Sequence, residues 1–134
     1  MSKESKKFST AWKSSSKPKK QKKYLLNAPL HLKHHFVQVH LSKELRKKYN
    51  RRSISVRKGD KVKVMGGSFK KHEGKVESVD LKKMRVCVSG IELTKRDGTK
   101  SMPSVHPSKL MITELNTDDK WRQKIIDRKM KVEN

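Results

Sequence analysis

Val56-Arg57-Lys58-Gly59-Asp60-Lys61-Val62-Lys63-Val64 is the stretch on which the fold turns. Val62 and Val64 alternate with lysines, and Ile54 and Val56 alternate with polar residues just before them. Alternation of β-branched residues with polar ones marks half-buried strands. Lys58-Gly59-Asp60 between the two runs is a turn signal. Outward from here the pattern repeats. Val76 and Val79, then Val86 and Val88, alternate with polar neighbours. Gly66-Gly67-Ser68, His72-Glu73-Gly74, Ser89-Gly90 and Arg96-Asp97-Gly98 punctuate them. About five short strands over 53–115 predict a mainly β unit, a small closed or nearly closed barrel. Met65, Phe69, Leu81, Met84, Ile91, Leu93, Val105, Leu110 and Ile112 are available to fill it. Pro103 and Pro107 make 100–108 loop or edge, because proline cannot donate to a central ladder.

The flanks read differently. Residues 1–26 form a basic, serine-bearing tail, expected to be extended because it has too little apolar surface to offset ordering entropy. Phe8, Trp12 and Tyr24 interrupt it. Such rings stack on unpaired bases or pack on protein, and both readings stay open here. Residues 27–52 read as short basic helices. Asn27 is a candidate N-cap with Pro29 in the first turn, and Ser42 is a second N-cap with Glu44 after it. Residues 116–134 hold a helix over 117–131, with Thr117 as its cap and Asp118 and Asp119 at the positive end of its dipole. Trp121 and Ile125 share one face, a narrow apolar stripe suited to docking on the barrel or on a partner.

Charge bounds the function. The chain has 134 residues, 36 Lys+Arg against 13 Asp+Glu, a net +23, and only 31% apolar residues. One core cannot span it, and a polyanionic partner is the default expectation for so basic a protein. Residues 1–60 carry 18 basic and 3 acidic side chains, so the excess is concentrated there. There is no apolar run of ~18 residues, so no membrane span is expected. The basic start lacks the apolar stretch of a secretory signal. Cys87 is the single cysteine and lies between Val86 and Val88, on the opposite face of their strand.

No catalytic constellation is present: no GxSxG, HExxH, Walker loop or GxGxxG. His31 and His35 are four apart, with His34 and His40 nearby, but no carboxylate or cysteine completes a metal site. Gly66-Gly67-Ser68 is not followed by the Lys-Ser or Lys-Thr helix of a nucleotide cradle, and it reads as a hairpin turn. Neither enzyme activity nor a cofactor is expected.

The stretch from Val56 to Val64, followed by Gly66 to Val79, resembles a KOW motif: a strand, a glycine-bearing loop and a second strand on an SH3-like barrel. Asn27-Ala28-Pro29-Leu30-His31, Leu41-Ser42-Lys43-Glu44-Leu45-Arg46-Lys47-Lys48-Tyr49 and His106-Pro107-Ser108-Lys109-Leu110-Met111-Ile112-Thr113 narrow the likeness. Together they resemble the KOW-bearing ribosomal protein family of the large subunit, universal family twenty-four and eukaryotic twenty-six, in its archaeal and eukaryotic form. The likeness spans about 24–130. One position departs: in Lys70-Lys71-His72-Glu73-Gly74, Lys71 stands where the family has a glycine. If the position needs a positive φ, lysine there is strained by about 1 kcal/mol.

The resemblance implies a cytoplasmic structural protein bound to large-subunit ribosomal RNA in its first domain, beside neighbouring ribosomal proteins and near the exit of the nascent-chain tunnel. It also implies a role early in assembly, with no membrane and no small-molecule substrate. The alternative is a KOW-type transcription elongation module bound to RNA polymerase. Expected RNA contacts in the tail are Lys6, Lys7, Lys13, Lys17, Lys19, Lys20, Lys22 and Lys23. In the helical segment they are Lys33, His34, Arg46, Lys47, Arg51 and Arg52. In the barrel they are Arg57, Lys58, Lys70, Lys71 and Lys75. Arginine is the stronger candidate per residue, since its planar fork bridges phosphates and stacks on bases.

Overall fold

The computed structural model describes residues 8–131, with the side chains of Trp12 and Lys131 outside the description. Six strands form one mixed sheet in the order β2-β1-β8-β3-β4-β5. They are β1 (Gln38–Leu41), β2 (Ser53–Ser55), β3 (Lys61–Val64), β4 (Glu73–Asp80), β5 (Arg85–Val88) and β8 (Leu110–Glu114). Strands β6 (Leu93–Thr94) and β7 (Lys100–Ser101) pair separately as a small exposed hairpin. Among the described residues there are four α-helices: α1 (Pro18–Asn27), α2 (Leu30–Phe36), α3 (Lys43–Tyr49) and α4 (Lys120–Lys131).

The alternation seen in the sequence sets which face is buried. Val62 and Val64 on β3, Val86 and Val88 on β5, and Leu110 and Ile112 on β8 are all buried, with Val76, Ile54 and Val56 beside them. Strand β4 changes partner along its length. Glu73, Gly74 and Lys75 pair with β3, whereas Val76 to Asp80 pair with β5, with a register shift between Val76 and Ser78. A bulge of that kind bends the strand and sharpens its twist. The sheet therefore wraps one core and is barrel-like. Gly74 lies two residues before the shift, where an added Cβ would stand 2.5 Å from the Ser89 carbonyl oxygen just after β5, so only glycine allows that approach. Gly59 turns the chain into β3 with φ +92.

Several expectations are corrected. Residues 1–26 are not extended throughout: Pro18 occupies the first turn of α1, a ten-residue helix with no buried residue. Asn27 ends α1 instead of capping α2, whose N-cap is Pro29. The segment 27–52 is not only helical. Val37, Val39 and Leu41 alternate and are fully buried, and β1 joins β8 in parallel and β2 antiparallel. The sheet thus draws a strand from outside 53–115. Met65 and Leu93, expected in the core, are about half exposed. Ser42 does cap α3, its hydroxyl accepting from the Leu45 amide, and left-handed Asn50 ends that helix.

Helix α4 docks by a different face from the expected one. It begins after Asp119, whose carboxylate accepts from the Trp121 amide, and Thr117 is not the cap. Ile126 is 3% exposed and joins the core, while Trp121 is 66% exposed. Beside Ile126 the buried residue is Arg122. Its Nη1 and Nη2 donate to the two carboxylate oxygens of Asp60, which has no exposed surface. Asp60 also accepts from the Arg57 and Asn116 amides, so its carboxylate closes the Gly59 turn and anchors α4 together.

Candidate nucleic-acid interface

The expected basic residues fall into separate sets. Lys19, Lys20, Lys22 and Lys23 are exposed on α1, and Lys17 is its N-cap. Lys13 is exposed after a 3₁₀ turn, Thr10–Trp12. A helix that is polar nearly all round and buries nothing is held by partners outside its own fold or by local pairs. Its end is fixed by rings: Phe8 lies 5.1 Å from Tyr24, and Tyr24 5.8 Å from Phe36. For Phe8 and Tyr24 the packing reading holds, since their rings meet within the chain. Lys6 and Lys7 lie outside the described residues, as does the Trp12 side chain.

A second set gathers at the end of α3. Arg46, Arg51 and Arg52 line one crevice with Asn50 and Lys129, and no acidic side chain among the described residues lines it with them. Two of these guanidiniums are held in place. Arg46 Nε donates to the Leu41 carbonyl, and Arg51 Nη1 donates to the Ile125 carbonyl of α4. The left-handed turn at Asn50 reverses the chain so that both of its flanks contribute arginines. Lys47 is exposed on the same helix.

A groove of about 760 Å³ adjoins this crevice. His34, Arg51, Arg57 and Lys58 line it together with Ile54, Val56, Val79, Leu81 and Ile125. Arg57 pairs with Asp119, which reduces its share of free charge. The remaining expected residues, Lys70, Lys71 and Lys75, are exposed on the β3–β4 hairpin, away from both depressions. Lys71 has φ +73, so the loop takes a left-handed conformation at that position on a lysine.

Lys33 is corrected. It is only 7% exposed, and its Nζ donates to the Leu26 carbonyl, tying α2 back to the end of α1. It is not presented to a ligand in this arrangement. Sequence reasoning missed Lys129 and His35, which line the crevice and the groove. In the sequence Lys129 reads only as a complement to the helix dipole, and its neighbours lie some 80 positions earlier. Lys109 was also missed; its Nζ lies 3.8 Å from where a Cβ on Gly67 would be, beside the β3–β4 loop.

Other lysines are paired. Glu114 raises the pKa of Lys61 by a hydrogen bond and its charge, and Glu92 does the same for Lys100. The hydrogen bond from Lys63, with its charge, lowers the pKa of Glu73. None of these lysines was an expected contact. Among the described residues no group of His, Cys, Asp and Glu is placed to hold a metal, and no helix is long and apolar enough to cross a membrane.

Comparison with known proteins matches residues 15–129 to the family that joins the eukaryotic L26 ribosomal proteins with their archaeal counterparts, numbered twenty-four. The chain is 48% identical over 116 residues to "Large ribosomal subunit protein uL24" of Methanosphaera stadtmanae, covering 87% of this chain and 99% of that protein. It is also 48% identical over 120 residues to the protein of the same name from Korarchaeum cryptofilum, covering 89% of this chain and 92% of the relative. The family match takes in nearly all of the four helices and the whole sheet, and it begins before α1, further toward the N-terminus than the sequence resemblance reached.

Proposed function

The chain belongs to the ribosomal protein family of eukaryotic L26 and its archaeal counterpart, and from that membership we propose how it works. It is a structural constituent of the large ribosomal subunit in the cytoplasm, not an enzyme. Its barrel is of the SH3-like, KOW-bearing kind. It binds large-subunit ribosomal RNA, stands beside neighbouring ribosomal proteins, helps organise the RNA's first domain during assembly, and lies near the exit of the nascent-chain tunnel. An elongation module at RNA polymerase is not favoured, because both relatives are named as large-subunit proteins.

The observation that carries the reading is the family match over 15–129, which spans the cationic helix α1, the basic crevice and the groove beside it. The physics agrees with it. Phosphate contacts from lysines and arginines release counterions and fix register without reading sequence. A small sheet gives those cations a fixed geometry. The interface then comprises the α1 lysines, the arginines around Asn50, His34 and Lys58 at the groove, and Lys70, Lys71 and Lys75 on the hairpin.

The test is co-sedimentation. The tagged chain expressed in a relative's cells should travel with large subunits through a sucrose gradient and appear in early precursors. Recovery with RNA polymerase and not with subunits would overturn the reading.

A further inference from the structure

The basic crevice and the apolar groove share one wall, and that wall is Arg51, which lines both. Resting on the RNA-binding reading above, we propose that the pair forms a single-nucleotide site. An unpaired nucleotide turned out of its stack places its phosphate in the crevice and its base in the groove.

The two halves have complementary chemistry. Arg46, Arg51, Arg52 and Lys129 give the crevice four cations, with no carboxylate among its described lining residues. Two of the arginines are braced by backbone carbonyls, so less side-chain freedom is lost when an anion arrives. The groove floor is apolar, with Ile54 and Val56 almost fully buried and Val79 and Leu81 half-buried. Its volume of about 760 Å³ lies within the roughly 300–1,000 Å³ of small-molecule pockets and leaves room for one base.

Among the described residues, Glu77 is the one carboxylate along the groove. It accepts from the N–H donors of a base, which the crevice, lined by four cations and no described carboxylate, cannot do. Ser55, Ser78 and Gln38 add further polar edges. Paired RNA cannot use such a site, because its bases are stacked and its deep groove is closed to side chains, whereas bulges and loops can. Arg51 also ties the site to α4, since its Nη1 is held by the Ile125 carbonyl while Ile125 itself lines the groove.

The experiment titrates the full chain, labelled at methyls and at arginine side chains, with adenosine 5′-monophosphate and separately with ribose 5-phosphate, followed by NMR. The nucleotide should shift the methyls of Ile54, Val79, Leu81 and Ile125 together with the Arg51 and Arg52 side chains, along one saturation curve. Ribose 5-phosphate should shift the arginines alone and bind at least three-fold more weakly. Leu81→Ala, at a half-buried turn position, should shrink that three-fold advantage and leave ribose 5-phosphate binding unchanged. An arginine-only pattern with the nucleotide, no shift with either probe, or no effect of Leu81→Ala would overturn the site. Filter binding of the same chain to large-subunit RNA is measured in parallel. Retention there alongside a failed titration rejects this site alone; loss of both rejects the RNA-binding reading.

Discussion

Asp60 and Arg122, 62 positions apart, meet with almost no exposure to solvent through hydrogen bonds of 2.6 and 2.7 Å. The carboxylate that shapes the Gly59 turn is thereby the anchor of the C-terminal helix. Arg122 Nη1 and Nη2 also donate to the carbonyls of Asn116 and Ser55, so the guanidinium ties three parts of the chain to one point. A buried charge left without its partner costs about 3–5 kcal/mol, while replacing both members with apolar groups costs far less. Asp60→Ala and Arg122→Met should each destabilise the protein by roughly that amount. The double variant should be clearly less destabilised than the sum of the two singles. Urea denaturation checks this, and additive losses would mean that the pair is not coupled.

Helix α4 gives a contrast between two neighbouring faces. Ile126 is in the core and Trp121 is outside it. Ile126→Ala should cost about 2–4 kcal/mol through lost burial and the cavity left behind. Trp121→Ala should stay within about 0.5 kcal/mol, as surface changes do. The same denaturation series reads both, and a larger loss at Trp121 would reverse the assignment of faces.

Lys71 holds a left-handed conformation that costs a side-chain-bearing residue about 1–2 kcal/mol. Lys71→Gly should therefore raise stability, by up to about 1 kcal/mol once the greater freedom of glycine in the unfolded chain is counted. If Lys71 also meets phosphate, the same variant makes RNA binding less salt-dependent by roughly 0.7–0.9 in log–log slope. A destabilised variant would show that the lysine side chain contributes more than its backbone costs.

Glu73 and Lys63 face each other in the β3–β4 register, and the hydrogen bond and charge of Lys63 lower the Glu73 pKa. A carboxylate with a lowered folded pKa adds stability above its unfolded pKa and loses it as pH falls through the folded value. NMR titration should therefore place the Glu73 midpoint below the ordinary glutamate range. Lys63→Met should move the midpoint upward. A midpoint that ignores Lys63 would sink the pairing.

The barrel was legible because β-branched residues at every second position leave little choice of buried face, as at Val62, Val64, Val86 and Val88. Val37 and, on strand β1, Val39 and Leu41 keep the same alternation, but β1 sits between two helical stretches, the first rich in histidine, and reads as part of them. The docked face of α4 was not legible. Beside Ile126 it buries a cation, and burial of Arg122 makes sense only with Asp60 next to it, a pairing that sequence spacing does not announce. The interface was legible as a set of cations but not as geometry. Arg46, Arg51 and Arg52 stand out one by one in the sequence, whereas their meeting with Lys129 depends on how α4 packs. Lys33, turned inward to Leu26, shows the opposite error.

The proposed function rests on lysines and arginines displacing ions from a folded RNA, with a small sheet fixing where they stand. The most direct measurement is the affinity of the full chain for large-subunit ribosomal RNA across a salt series, with and without Lys19, Lys20, Lys22 and Lys23 changed to Ala. The expected result is a steep linear fall of log affinity with log salt, made shallower in the variant by up to roughly 3 in slope. A slope that is the same in both proteins would contradict it.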